Sequence, residues 1–195
     1  MHALAPWDGR DLVDIGCGTG FHLPHFAATA RSVTGVEPHG PLAAIARRRS
    51  RRLERVAVVS GLASALPLPD ASVDVAHARW AYFFGPGCEP GLAELDRVLR
   101  PGGRAFIIDN DPTRSTFGAW FAQGFPSVDA ATVERFWALR GWDRVRLDLA
   151  WEFDDRDDLE SVVRIELPGP VAEAALAGHE GLRVDYAVNL WTRGF

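Results

Sequence analysis

The chain predicts an α/β fold: a mostly parallel sheet with helices on both faces, in a single domain. Three observations carry that expectation. Short β-branched apolar runs alternate with longer stretches of helical periodicity. A Gly-rich turn follows the first of these runs. No repeat or linker interrupts the 195 residues, which fit one ordinary domain.

Each element has its own justification. Residues 11–15 form a short strand that runs into Gly16-Cys-Gly-Thr-Gly20, and a helix over residues 21–31 follows, with Pro24 fixing its start near that residue. Residues 32–36 are a second strand ending at Glu37-Pro38. Residues 41–55 are a helix with Leu42, Ile45 and Leu53 on its apolar stripe. Residues 56–59 are a third strand, and residues 72–78, nearly all apolar, are a fourth strand buried on both faces. The segment 91–99 places Leu92, Leu95, Val98 and Leu99 on one helical face, and Pro101-Gly-Gly103 is the turn that stops it. Residues 105–108 make a fifth strand. These β-α repeats imply right-handed crossovers. Beyond them, aromatics crowd a helical and loop region from Phe117 to Trp142. Residues 144–153 alternate as a strand with one wet face, helices follow near 155–165 and 171–177, and residues 182–191 close the chain as another alternating strand.

Composition removes several function classes. With 47% hydrophobic and 24% charged residues the chain is too apolar for a disordered tail. No apolar run reaches the roughly 20 residues of a membrane span, and the first ten residues lack the basic start and apolar stretch of a signal peptide. Cys17 and Cys88 are the only cysteines, which excludes a disulfide framework and points to a cytoplasmic protein. The net charge of −5 argues against nucleic-acid binding. All 21 basic residues are arginine, a bias that looks like GC-rich coding and lowers the meaning of any single one. The run Arg47-Arg-Arg-Ser-Arg-Arg52 therefore reads as favourable cations at a helix end rather than a phosphate-tracking patch. The acids from Glu152 to Glu160 read as helix-start residues, and no metal is expected.

The strongest signal is Val13-Asp-Ile-Gly-Cys-Gly-Thr-Gly20. A strand ending in a Gly-rich turn brings backbone close to a ligand and points bare N–H groups at anionic atoms. Dinucleotide enzymes space their glycines as G-x-G-x-x-G, whereas here Phe21 stands where their third glycine would be. Glu37, ending the next strand, is placed to accept hydrogen bonds from ribose hydroxyls. The plain alternative is a Gly turn with a helix-capping acid.

Asp14-Ile-Gly-Cys-Gly-Thr-Gly20, Gly35-Val-Glu37, Leu66-Pro-Leu-Pro-Asp-Ala-Ser-Val-Asp74 and Leu99-Arg-Pro-Gly-Gly103 together resemble the motif set of the class I S-adenosylmethionine-dependent methyltransferases, in their usual order. The resemblance covers residues 11–111. It implies a Rossmann-like sheet of seven strands with an antiparallel last strand, divided into a cofactor-binding half (11–111) and a substrate-side, sheet-completing half (112–195). It implies S-adenosyl-L-methionine as cofactor. Gly16, Cys17, Gly18 and Gly20 would pass under its methionine part, with Asp14 near the ammonium group and His22 near the carboxylate. Glu37 would hold the ribose, Leu62 and Ala63 would flank the adenine, and Ala78 with Arg79 would lie under the sulfonium. Two departures stand out. Related families usually carry an acid where Leu62 stands. Only 13 residues precede Asp14, where relatives have a longer segment that forms lid helices, so an open cleft over Gly18 and Trp80 is expected, or a homodimer partner supplying the lid.

Methyl transfer needs alignment and exclusion of water more than covalent chemistry. Trp80, Tyr82, Phe83 and Phe84 are placed to line such a pocket. For an OH or NH acceptor a base helps, and Asp109 and Asp111 are the first candidates, with Tyr82 a third. His77, mid-strand, reads as a satisfied core histidine. The expected activity is methyl transfer to O or N of a small, partly apolar acceptor, the aromatic segment motivating that choice. The alternatives are an RNA methyltransferase and a non-catalytic cofactor-binding protein.

Overall fold

The computed structural model describes residues 1–82 and 85–195. In chain order the elements are β1 (Asp11–Ile15), α1 (Leu23–Ala27), β2 (Ser32–Val36), α2 (Gly40–Ser50), β3 (Val56–Val59), β4 (Val73–Arg79), α3 (Glu89–Val98), β5 (Leu99–Asn110), α4 (Thr116–Gly124), α5 (Ala130–Ala138), β6 (Asp143–Glu152), α6 (Arg156–Glu166), α7 (Gly169–Gly178) and β7 (Arg183–Gly194). The strands form one seven-stranded sheet in the order β3-β2-β1-β4-β5-β7-β6. β7 runs antiparallel to both of its neighbours, and the pairings among β1 to β5 are parallel. The Rossmann-like expectation with one reversed strand is borne out.

Alternation along the strands sorts the core into faces. Val13, Ile15, Ala76, Ala78 and Ile107 point to the side covered by α3 and α5, where Leu92, Leu95, Phe136 and Trp137 pack against them. Leu12, Val33, Val75, Phe106 and Leu190 point the other way, toward α1 and α2, joined by Ala5 and Trp7 from the leading segment. On this second face the far end of β7 is covered by α4, α6 and α7, which bury Val184 beneath Phe117, Leu159 and Val163. A gap is left between α1 and that helical cluster, over the middle of β7 and β6.

Two local readings change. The helix after β1 is five residues, Leu23–Ala27, shorter than the expected 21–31. Pro101-Gly102-Gly103 stops α3 but does not separate it from the sheet. The segment is a bulge inside β5, where the pairing with β4 jumps from Val73↔Leu99 to Val75↔Arg104. Gly103 is required there, since a Cβ would sit 2.8 Å from the Arg100 carbonyl oxygen.

Candidate active site

A cavity of about 750 Å³ opens at the carboxyl ends of β1 to β4. That is where open α/β sheets bind ligands. Gly16 and Gly18 line it from the β1–α1 turn, Glu37 from the end of β2, Leu62 and Ala63 from beyond β3, and Arg79, Trp80 and Tyr82 from the end of β4. Gly18 has φ of +54° and a Cβ built there meets nothing within 4 Å, so any side chain would project into the open space of the cavity. Its N–H donates to Glu37 Oε2 at 2.8 Å, while Glu37 Oε1 accepts the His39 N–H at 2.9 Å. Glu37 is buried and each of its oxygens keeps a lone pair for a further donor.

Trp80 holds φ of +55°, a strained conformation for a bulky residue. Its N–H donates to the Ile108 carbonyl at 3.0 Å, which pins β4's exit against β5. The Arg79 guanidinium stacks 3.9 Å from the Trp80 ring centroid. Tyr82 is buried and donates its hydroxyl to the Gly91 carbonyl at 3.3 Å, and burial pushes the phenol far above its ordinary range. It serves as a wall of the cavity rather than a base. Phe83 and Phe84 lie outside the described residues.

The remaining sequence candidates divide. Leu62 is half exposed and offers only apolar packing. Gly20 backs onto Ala46 and Leu23, within 3.0 Å of a built Cβ, and so lets α1 approach α2. Cys17 is buried against Gly35, its thiol pushed up to about 12 by burial and by nearby Asp14 and Glu37. Ala78 is buried in the core below the cavity and does not appear on its wall. Asp14 shares Leu12's side of β1, so it faces α1 and does not line the cavity. There its Oδ1 lies 2.7 Å from His77 Nδ1, while Oδ2 is buried with no partner among the described residues. His77 is thus held at one ring nitrogen, Nδ1, and is 2% exposed.

The proposed acids do not gather at this cavity. Asp109 is buried with both oxygens unpartnered among the described residues, and burial raises it to about 7. Asp111 accepts the Thr113 N–H and hydroxyl at 3.0 and 2.5 Å and lies 3.6 Å from Arg146. It lines a separate polar cavity beside Asn189, on the α5 side of the sheet. The physical reason is β5's pleat together with its place in the sheet: both carboxylates sit beyond the strands whose ends form the larger cavity.

Sequence reasoning missed a second cavity of about 360 Å³, in the gap between α1 and the α4–α6–α7 cluster. His22 and His25 open into it, as do His77, Phe26, Leu147, Leu149 and Tyr186, and Arg79 lines both it and the larger cavity. His22 therefore faces this space, where burial and the neighbouring His77 lower its pKa. The sheet register offered no local signal, since Asp14 and His77 meet across the β1–β4 pairing, 63 residues apart.

Among the described residues no group of three or more His, Cys, Asp or Glu is placed to hold a metal ion, and no helix is long and apolar enough to cross a membrane. Arg47 donates to the Val58 carbonyl and Ser60, and Arg49 to Thr19, so part of the arginine run is used locally. Asp155 caps α6 by accepting the Asp158 N–H at 2.9 Å.

The donor set fits the implied cofactor. Gly18 leaves open space on the cavity wall, buried Glu37 keeps lone pairs for hydroxyl donors, and Leu62 and Ala63 add an apolar wall. A family model described as "Methyltransferase domain" matches residues 13–107. A ubiquinone/menaquinone biosynthesis C-methyltransferase UbiE from Methylobacterium nodulans is 35% identical over 88% of this chain and 67% of its own length. Another UbiE, from Rubrivivax gelatinosus, is 33% identical over 68% of this chain, and the match spans half the length of that relative. The fold matches the solved YcgJ protein from Bacillus subtilis with a TM-score of 0.70, 17% identity, and coverage of 97% of this chain and 94% of that one. With this cavity, this sheet order and these relatives, the chain belongs to the class I S-adenosylmethionine-dependent methyltransferases.

Proposed function

We propose that the chain moves a methyl group from S-adenosylmethionine to a small, partly apolar acceptor. The receiving atom is a ring carbon, in place of the O or N that the sequence leads one to expect. The printed names of the relatives, C-methyltransferases of quinone biosynthesis, support carbon. The observation that carries the reading is the cavity in which Gly18 and Glu37 meet Trp80 and Arg79.

When bound, the cofactor supplies a methyl group already activated on a sulfonium. The chain does the rest. Gly16 and Gly18 let the backbone lie against the methionine part, and Glu37 accepts the ribose hydroxyls. Leu62 packs on the adenine without reading its amino group, so adenine discrimination rests on the backbone near Ala63. Trp80 and Tyr82 wall the cavity and keep water from the reacting atoms. Asp14, which the resemblance sets near the ammonium group, lies on the opposite pleat with its Oδ1 against His77 and is given no part in holding the cofactor. A cytoplasmic setting, a small-molecule acceptor and a homodimer belong to the same proposal.

The test is mass spectrometry of reactions containing S-adenosylmethionine and a panel of hydroxyaromatic compounds, anilines and tRNA. A methyl group appearing on a ring carbon supports the reading. Transfer to tRNA alone, or to nothing while the cofactor binds, would favour one of the other two functions.

A further inference from the structure

We infer that the second cavity is the acceptor site and that His77 is the group in it that takes a hydroxyl proton, so that the acceptor is a phenol-type hydroxyaromatic. The inference rests on the methyltransferase reading above.

The sheet register builds the arrangement. Asp14 pairs with His77 across β1 and β4, while Arg79, Ile108 and Leu190 form the next row across β4, β5 and β7. His77 and Arg79 therefore point to one face, two residues apart on the same strand. Asp14 can only accept, so its contact with His77 Nδ1 at 2.7 Å fixes the proton on that nitrogen. Nε2 is then the bare acceptor on the cavity side, oriented by a carboxylate behind the ring in the manner of a catalytic base. The His22 ring stands edge-on to His77 at 5.5 Å between centroids, and its lowered pKa keeps a second positive charge away from it.

The rest of the wall selects the ligand. Phe26 and Tyr186 contribute aromatic rings and Leu147 and Leu149 apolar side chains, and the two leucines remain 37% and 42% exposed in the gap between helices. A hydroxylated ring buries those leucines while presenting its O–H to His77. Arg79 lines both this space and the cofactor cavity, so its cation stands at the wall between them, beside the oxygen. In the proton step the acceptor's O–H bond breaks and its electron pair stays on oxygen. The proton bonds to His77 Nε2, giving an imidazolium against the Asp14 carboxylate and a phenolate near Arg79. Once the ring carbon carries the methyl group its C–H bond breaks, the electron pair restoring the ring and the proton going to water, while the oxygen takes back the proton held by His77, so the imidazole ends neutral.

The probe is 4-nitrophenol, whose phenolate absorbs visibly, titrated at pH 6 into protein saturated with S-adenosylhomocysteine. Binding to the wild type should raise the phenolate absorbance above that of the free probe. His77→Gln, which can still hydrogen-bond Asp14, should bind S-adenosylhomocysteine normally and lose that gain. Leu149→Trp fills the cavity from an exposed position and should weaken probe binding by roughly tenfold. An undiminished phenolate signal in His77→Gln, or full probe affinity in Leu149→Trp, would overturn the inference while leaving cofactor binding intact. Failure of the wild type to bind S-adenosylhomocysteine would instead sink the methyltransferase reading, and this inference with it.

Discussion

Replacing Asp109 with Asn should flatten one segment of the protein's stability curve against pH. Asp109 is 1% exposed, faces Asn189 across the β5–β7 ladder, and has no partner for either oxygen among the described residues. Burial raises its pKa from 3.8 to about 7. Below pH 4 both the folded and the unfolded chain hold this proton, and its ionisation adds nothing to the stability difference. Between pH 4 and 7 the unfolded chain ionises while the folded one keeps its proton, so stability falls as pH rises, by about 1.4 kcal/mol per unit. Over that window the loss reaches roughly 4 kcal/mol, and above pH 7 it stays constant. The amide of Asp109→Asn does not titrate. Chemical denaturation of both proteins from pH 4 to 8 isolates the effect, because every other group cancels in the difference. The wild type should lose stability relative to Asp109→Asn across the window. Parallel curves would refute the assignment of Asp109 as a carboxyl kept neutral by burial.

Three further outcomes follow from the same structure. Glu37→Ala should weaken S-adenosylhomocysteine binding by roughly 1.5–3 kcal/mol, the scale of hydrogen bonds to a charged group, read by calorimetry. It should also loosen the β1–α1 turn, since Glu37 accepts the Gly18 N–H. Asp11 accepts from Arg31, from Ser32 at 2.7 Å and from Arg100 at 3.0 Å, and these partners hold its carboxyl well below the usual range. Asp11→Asn should therefore cost roughly 1 kcal/mol at neutral pH in denaturation experiments, and the difference should fade as pH falls below 4, where the wild-type carboxylate gives up its advantage. Gly20→Val should lower the thermal midpoint more than it lowers cofactor affinity, because its Cβ meets Ala46 and Leu23 at 3.0 Å.

What the sequence discloses depends on how local the cause is. β1 to β4 are legible because each is a short run with β-branched residues bounded by turn residues. Gly16, Gly18 and Glu37 are legible because a strand end, a Gly turn and the next strand end are adjacent by topology. Pro101-Gly102-Gly103 is ambiguous in sequence, since the same residues that make a turn also make a bulge, and only β4's pairing distinguishes them. The motif assigns Asp14 to the cofactor, although Val13 and Ile15, both fully buried toward α3, place it on the opposite pleat. Asp109 and Asp111 read as acids at a strand end near the site, but the order of strands sets them to one side of it. The second cavity has no sequence signature. It exists because α1 is short and the α4–α6–α7 cluster stops before it, a three-dimensional gap that periodicity does not encode.

The most direct measurement of the central claim is calorimetric titration of the wild type and Gly18→Val with S-adenosylhomocysteine and, separately, with NADH. The wild type should bind S-adenosylhomocysteine and ignore NADH. Gly18→Val, checked by circular dichroism for retained fold, should bind neither, because its side chain occupies the open space between the turn and the ligand. Wild-type binding of NADH without S-adenosylhomocysteine would contradict the account, as would unchanged S-adenosylhomocysteine affinity in a folded Gly18→Val variant.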